Sequence, residues 1–241
     1  MNVYKKFHVA IICLSNDIFV PPGAGWFGGG QLGAYENGRY LVSQGARVTY
    51  ISRMSEKKQR QKELLGPRCT VLRIPEFNPD SGKPSDRGTD ITSMLKAGEE
   101  LLLNEPHLPN VVHSQYWIGG ALGHIISQAH TLRHIHFFLS LGRLTNPTRG
   151  LPPSPQQTIR DQWEIKIYRH ANCLVAQSFY LANQFKKLYR EIDYGRVSVI
   201  HHGIDHRIFT RRPESTGDYL RRSSSRFSQG FAQPASGNKP D

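Results

Sequence analysis

The residues in this sequence that could do chemistry begin with a glycine run. Gly28-Gly29-Gly30-Gln31-Leu32-Gly33 fits the spacing G-x-G-x-x-G ahead of an expected helix. Glycines there let a phosphate or a sugar approach backbone N–H groups at the positive end of a helix. A dinucleotide fingerprint asks for more: glycines directly after the first strand, and an acid closing the second. Here Ser15 to Phe27 intervenes and the second strand closes in Ser52-Arg53, so no dinucleotide cofactor is expected. Contact with an anionic ligand or substrate is the preferred reading of the glycines, with a plain structural turn as its competitor. His134-x-His136 would share one face of a strand. No nearby cysteine or acid completes a metal-ligand set around that pair, so no metal is expected. The spacing supports no Ser-His-Asp or Cys-His arrangement.

Strand-like and helix-like segments alternate around these residues. Phe7 to Leu14 is a continuous apolar run, as in a strand buried on both faces of a parallel sheet. Gly30 to Gln44 has apolar residues at helical spacing, with Gly45 as its C-cap. Further strands are expected at 47–52, 69–74, 110–113, 134–139, 173–177 and 196–200. Helices are expected at 89–103, 120–129, 156–169 and from Ser178, a candidate N-cap, to about Tyr189. Residues 76–88 and 142–155, rich in proline and glycine, read as loops. The alternation predicts an α/β fold: a doubly wound, mostly parallel, Rossmann-like sheet with helices on both faces. Ligands in such folds sit at the carboxyl ends of the strands, which points to the loops after Leu14, His113, Leu139 and Ile200.

Composition narrows the class. The 241 residues suffice for a large core without disulfides. No apolar run is long enough to span a bilayer. The lysines before the first apolar run mimic a signal peptide, but that run is short and lacks a small-residue cleavage pattern. Cys13, Cys69 and Cys173 are scattered and read as free thiols in a reducing compartment, so the expected location is the cytoplasm. The net charge of +12 is spread along the chain without a nucleic-acid motif, which argues against a specific nucleic-acid partner. From Arg211 onward the sequence turns serine- and arginine-rich and loses periodicity. Residues 211–241 therefore read as a disordered basic tail behind a domain of residues 1–210.

Five segments, in order, resemble one family. They are Gly29-Gly30-Gln31 with Tyr35 and Gly45-Ala46-Arg47-Val48; His113-Ser114-Gln115-Tyr116-Trp117-Ile118-Gly119-Gly120; Ser140-Leu141-Gly142-Arg143; Arg160 with Glu164; and Val199-Ile200-His201-His202-Gly203-Ile204-Asp205 with Phe209. Together they are similar to the N-terminal, acceptor-side domain of retaining glycosyltransferases of the GT-B fold. That family contains sucrose synthases, sucrose-phosphate synthases and the mycothiol glycosyltransferase. The chain departs from its pattern at Leu139, where a histidine is usual, at Phe27-Gly28, where an acid is usual, and near Tyr180, where a glutamate is usual.

The resemblance implies a family 4-like domain whose Gly29, Gly30 and Gln31 lie beside the donor diphosphate and the acceptor. It implies an acceptor pocket of His113, Tyr116, Trp117, Gly142 and Arg143, with packing at a strand end as the alternative for the aromatic pair. Arg160 and Glu164 would be a structural helix pair, and Gly203 and Asp205 would mark the domain end. The implied ligands are a nucleotide-sugar donor and a small sugar or sugar-phosphate acceptor. The implied reaction is hexose transfer with retention, needing neither metal nor cofactor. The donor-gripping second domain would begin after Phe209, so catalysis is expected to need a partner chain. The alternatives are a non-catalytic sugar- or sugar-phosphate-binding module and a truncated remnant.

Overall fold

The structure is a computed structural model that describes residues 7–15, 17–19, 29–54, 58–75, 91–148 and 154–203. Asp205, Phe209, the expected loop 76–88 and the expected tail 211–241 lie outside the described residues.

The strands are β1 (His8–Cys13), β2 (Arg47–Arg53), β3 (Lys62–Gly66), β4 (Cys69–Ile74), β5 (Val111–Gln115), β6 (Arg133–Phe137), β7 (Cys173–Ala176) and β8 (Val197–Val199). The helices are α1 (Gly29–Ser43), α2 (Ile91–Leu103), α3 (Tyr116–Ala129), α4 (Gly142–Thr148), α5 (Pro155–His170) and α6 (Phe179–Leu188). All eight strands form one sheet in the order β3-β4-β2-β1-β5-β6-β7-β8. Every neighbour pair is parallel except β3 with β4. This is the expected doubly wound, mostly parallel sheet.

The in-register pairing sorts side chains into two faces. One row runs Val9, Ile11 and Cys13 on β1 to Val48 and Tyr50 on β2, and packs under Ala34 and Tyr35 of α1. The opposite row, Ile12, Leu14, Ile51, Leu72 and Val112, packs under α2 and α3. A second cluster, Phe138, Leu141, Leu174 and Ala176, is covered by Tyr168 of α5 and by Leu181, Phe185 and Tyr189 on and after α6.

Three expectations need correction. β3 was not expected: it is short and half-exposed, and it borders the sheet antiparallel to β4. The segment 142–155 is not all loop, because α4 occupies its first half. The third helix starts at Tyr116 instead of residue 120, so Tyr116 and Trp117 stand at a helix start, not a strand end. Its glycines explain the misreading. A Cβ at Gly119 would lie 2.8 Å from the Ile12 carbonyl oxygen, and one at Gly120 2.6 Å from the His136 ring. They are there for close approach to the sheet, not to break the helix. The N-cap at Ser178 is as expected, its hydroxyl accepting from the Leu181 N–H at 3.2 Å.

Candidate functional site

β5 delivers the site. His113 and Gln115, two residues apart, face the α1 side of the sheet, while Ser114 between them faces α3. The His113 ring lies 5.2 Å from Phe137 of β6, and Phe137 stacks at 5.8 Å on His202, just beyond β8. His202 in turn fills the space over Gly33 of α1, where a Cβ would lie 2.8 Å from the ring. Gly30, in the first turn of α1, stands against the Leu139 side chain, with Gln115 Oε1 3.8 Å from where its Cβ would be. The carboxyl ends of β5, β6 and β8 and the N-terminus of α1 thus converge.

Burial sets the charge state here. It lowers the His113 pKa to about 4, with the neighbouring His202 adding to the effect, and it lowers His202 as well. Both rings are neutral at pH 7. The Nε2 of His113 and both amide atoms of Gln115 are buried without a hydrogen-bond partner among the described residues.

Gln115 keeps extended backbone, and Tyr116 then turns the chain into α3 with φ 61°. An aromatic residue in that region is strained by about 1–3 kcal/mol and persists only where its surroundings hold it. Trp117 holds it from below, buried in the core with Ile12, Ile118 and Leu122. Arg160 holds it from the side, its guanidinium 5.1 Å from the centre of the Tyr116 ring. Arg160 Nε donates to Glu164 Oε1 at 2.7 Å, and Nη2 donates to the Ser140 carbonyl and hydroxyl at 3.1 and 2.9 Å. Its Nη1 makes no hydrogen bond within the described residues.

Glu164, fully buried, also accepts the Gly142 N–H, at 3.1 and 3.0 Å, and the Tyr189 hydroxyl. A Cβ at Gly142 would meet Gln157 and Glu164 at 2.8 Å. Arg143 is bound to Asp161 at 2.7 Å, to the Leu188 carbonyl at 2.7 Å and to Glu191 at 2.8 Å, and it lies over the Tyr189 ring. Its hydrogen bond to Asp161 raises its pKa above the ordinary range. Of the expected site residues, the structure sets Gly30 and His113 on the α1 side of the sheet, with Gln31 buried in the first turn of α1, and sets Tyr116 on the α3 side beside Arg160 of α5. It places Trp117 in the core and sets Gly142 and Arg143 in the α4–α5–α6 network. Gly203 follows His202 at the exposed end of the described chain.

Sequence reasoning missed Gln115 and the cluster on the other face. Strand parity from His113 was the signal for the first. On the α3 face, the Ser114 hydroxyl shares hydrogen bonds with His134 Nε2 at 2.7 Å and His136 Nδ1 at 2.8 Å. The two histidines do share a face, and Ser114 occupies the point where they meet. Burial lowers His134 to about 3 and His136 well below its ordinary value. Burial also pushes the Cys13 thiol up to about 11 and Cys69 to about 12, so neither is a thiolate nucleophile at pH 7.

Polar groups gathered at the carboxyl ends of the central strands are where an open, doubly wound sheet binds its ligands. Residues 27–207 match the family described as Glycosyltransferase Family 4. The chain belongs to that family. It is 26% identical over 202 residues to D-inositol 3-phosphate glycosyltransferase 2 of Catenulispora acidiphila, which covers 82% of this chain and 46% of the relative. It is likewise 26% identical over 218 residues to the D-inositol 3-phosphate glycosyltransferase of Acidothermus cellulolyticus, covering 89% and 47%. Among solved structures, the sucrose-phosphate synthase of Thermosynechococcus elongatus superposes with a TM-score of 0.69 at 20% identity, over 85% of this chain and 50% of that one. HepE of Anabaena, solved with UDP and glucose, superposes with a TM-score of 0.52 at 11% identity, over 86% and 47%. The chain spans about half the length of the curated relatives it matches. Among the described residues no helix is long and apolar enough to cross a membrane.

Proposed function

We propose that this chain is the acceptor-binding half of a retaining hexosyltransferase, which receives a hexose from a nucleotide-diphosphate sugar onto a small phosphorylated polyol or sugar. The observation that carries this reading is Tyr116. A strained aromatic residue at the carboxyl end of a central strand presents its ring beside a cation, in a family of sugar transferases. Strain of this kind is kept where a site needs it. The aromatic face suits the C–H surface of a sugar, and Arg160, whose charge is permanent, has a donor nitrogen left over for a phosphate oxygen. The relatives named for D-inositol 3-phosphate support a phosphorylated acceptor. The donor would be held mainly by a second domain, facing the N-terminus of α1 at Gly29 and Gly30. A non-catalytic sugar-phosphate-binding module is the same site without transfer. Buried, unpaired thiols at Cys13 and Cys69 support a cytoplasmic setting.

Calorimetric titration tests this. The purified chain should bind inositol 3-phosphate and bind UDP or UDP-glucose much more weakly. Tyr116→Ala and Arg160→Gln should each weaken inositol 3-phosphate at least tenfold. Absence of inositol phosphate and sugar phosphate binding, or binding that neither variant changes, would overturn the reading.

A further inference from the structure

We propose that Gln115 reads a ring hydroxyl of the acceptor, so that it sets the preference for a polyol over an apolar ring carrying the same phosphate. The inference rests on the acceptor reading above and adds a residue to it.

A buried carboxamide without partners is rare, because each amide end left unpaired costs about 1–3 kcal/mol. Gln115 is 0% exposed, and both Oε1 and Nε2 lack a partner among the described residues. Its neighbours explain why it cannot satisfy itself. Leu139, which shares with Gln115 the space beside Gly30, offers only methyl groups there. Phe137 and Cys13, its register partners on either side, offer a ring and a buried thiol. His113 shares its strand face about 7 Å away and carries an unpartnered Nε2 of its own. The next residue is the strained Tyr116. The sequence therefore sets two unpaired polar side chains on the strand that leads directly into Tyr116.

The chemistry of the unpaired atoms defines what would fill them. A carboxamide offers one acceptor and two donors and no charge. The neutral His113 ring offers one donor or one acceptor. Neither suits a phosphate as well as the guanidinium of Arg160 does. A hydroxyl, which donates and accepts at once, satisfies a carboxamide at either end. Division of labour follows: Arg160 takes the anion, and Gln115 takes the ring. A site that hydrogen-bonds a substrate hydroxyl discriminates strongly against an analogue lacking it, since the protein's own groups then stay unpaired.

The test compares two probes on the full 241-residue chain by calorimetry: inositol 3-phosphate and cyclohexyl phosphate, which carries the anion without ring hydroxyls. The wild type should prefer inositol 3-phosphate by at least tenfold. Gln115→Leu should bind inositol 3-phosphate tenfold to a hundredfold more weakly, leave cyclohexyl phosphate within about twofold, and melt no lower than the wild type. Gln115→Asn, which keeps the carboxamide but shortens it, should restore part of the preference. If Gln115→Leu keeps the wild-type preference, or weakens both probes equally, the assignment of Gln115 is overturned while the acceptor site stands. If the wild type binds neither probe, both readings fall together.

Discussion

At the scale of residues, the fold commits several histidines to neutrality. His113, His134 and His136 are buried, and each has its folded-state pKa below the free value of about 6.5. Below that pH the unfolded chain takes up protons that the folded chain refuses. Stability is therefore intact above about pH 6.5 and falls as pH drops toward about 4 for His113 and about 3 for His134. Three such rings should remove roughly 4 kcal/mol between pH 7.5 and 5.5. Urea unfolding at several pH values measures this, and His113→Asn should flatten the slope by about one proton. Ser114→Ala should cost about 1–3 kcal/mol, because two buried ring nitrogens lose their shared hydroxyl. Trp117→Ala should cost about 3–5 kcal/mol through the cavity it leaves in the core. If instead Trp117→Ala folds as stably as wild type and loses only ligand affinity, the ring belongs to the pocket.

At the scale of elements, the close approach of α3 to the sheet depends on residues without side chains. A Cβ at Gly123 would lie 2.7 Å from His134 Nε2 and 3.0 Å from Ser114 Cβ. Gly123→Ala should destabilise by about 1–3 kcal/mol by overpacking, although alanine favours helix by about 1 kcal/mol. Gly66→Ala, where a Cβ would meet open space, is the control and should be near neutral. A thermal melt of both variants decides it. The same glycines show what the sequence could reveal. β1 was legible as a continuous apolar run, and β2 as a short run rich in β-branched and aromatic residues. β3 was not, since Lys62 and Glu63 pair with Leu72 and Val71 at an edge where no apolar alternation is needed. The start of α3 was hidden because glycine reads as a breaker unless the surface pressed against it is known. In the candidate site, Gly30, His113 and Tyr116 were singled out by a resemblance in their motifs. Gln115 was not, because its importance lies in having no partner, which only a packed structure can show. Arg160 and Glu164 read as a helix pair, but their grip on Ser140, Gly142 and Tyr116 is long-range.

At the scale of the whole molecule, the match to half of each relative frames the prediction on activity. The 241 residues expressed alone should bind acceptor and show no hexose transfer above background from UDP-, GDP- or ADP-sugars. Losing even one preorganised contact to a leaving group costs roughly 10²–10³ in kcat. Product formation by the purified monomer, followed by chromatography, would contradict this and place a diphosphate site within the present fold. The position of β1 has a different consequence, one of timing. It is made first, yet it sits in the middle of the sheet between β2 and β5, and its junction with β5 joins residues 102 apart in sequence. At about 5–20 residues per second, a ribosome needs about 5–20 s to supply the second neighbour. Through that interval Ala10, Ile11 and Ile12, all fully buried in the finished protein, have at most one flank covered. Refolding from denaturant should accordingly be slow, in milliseconds to seconds, as expected where distant pairings must close first. The nascent chain is then most in need of a chaperone at β1, until β5 has emerged.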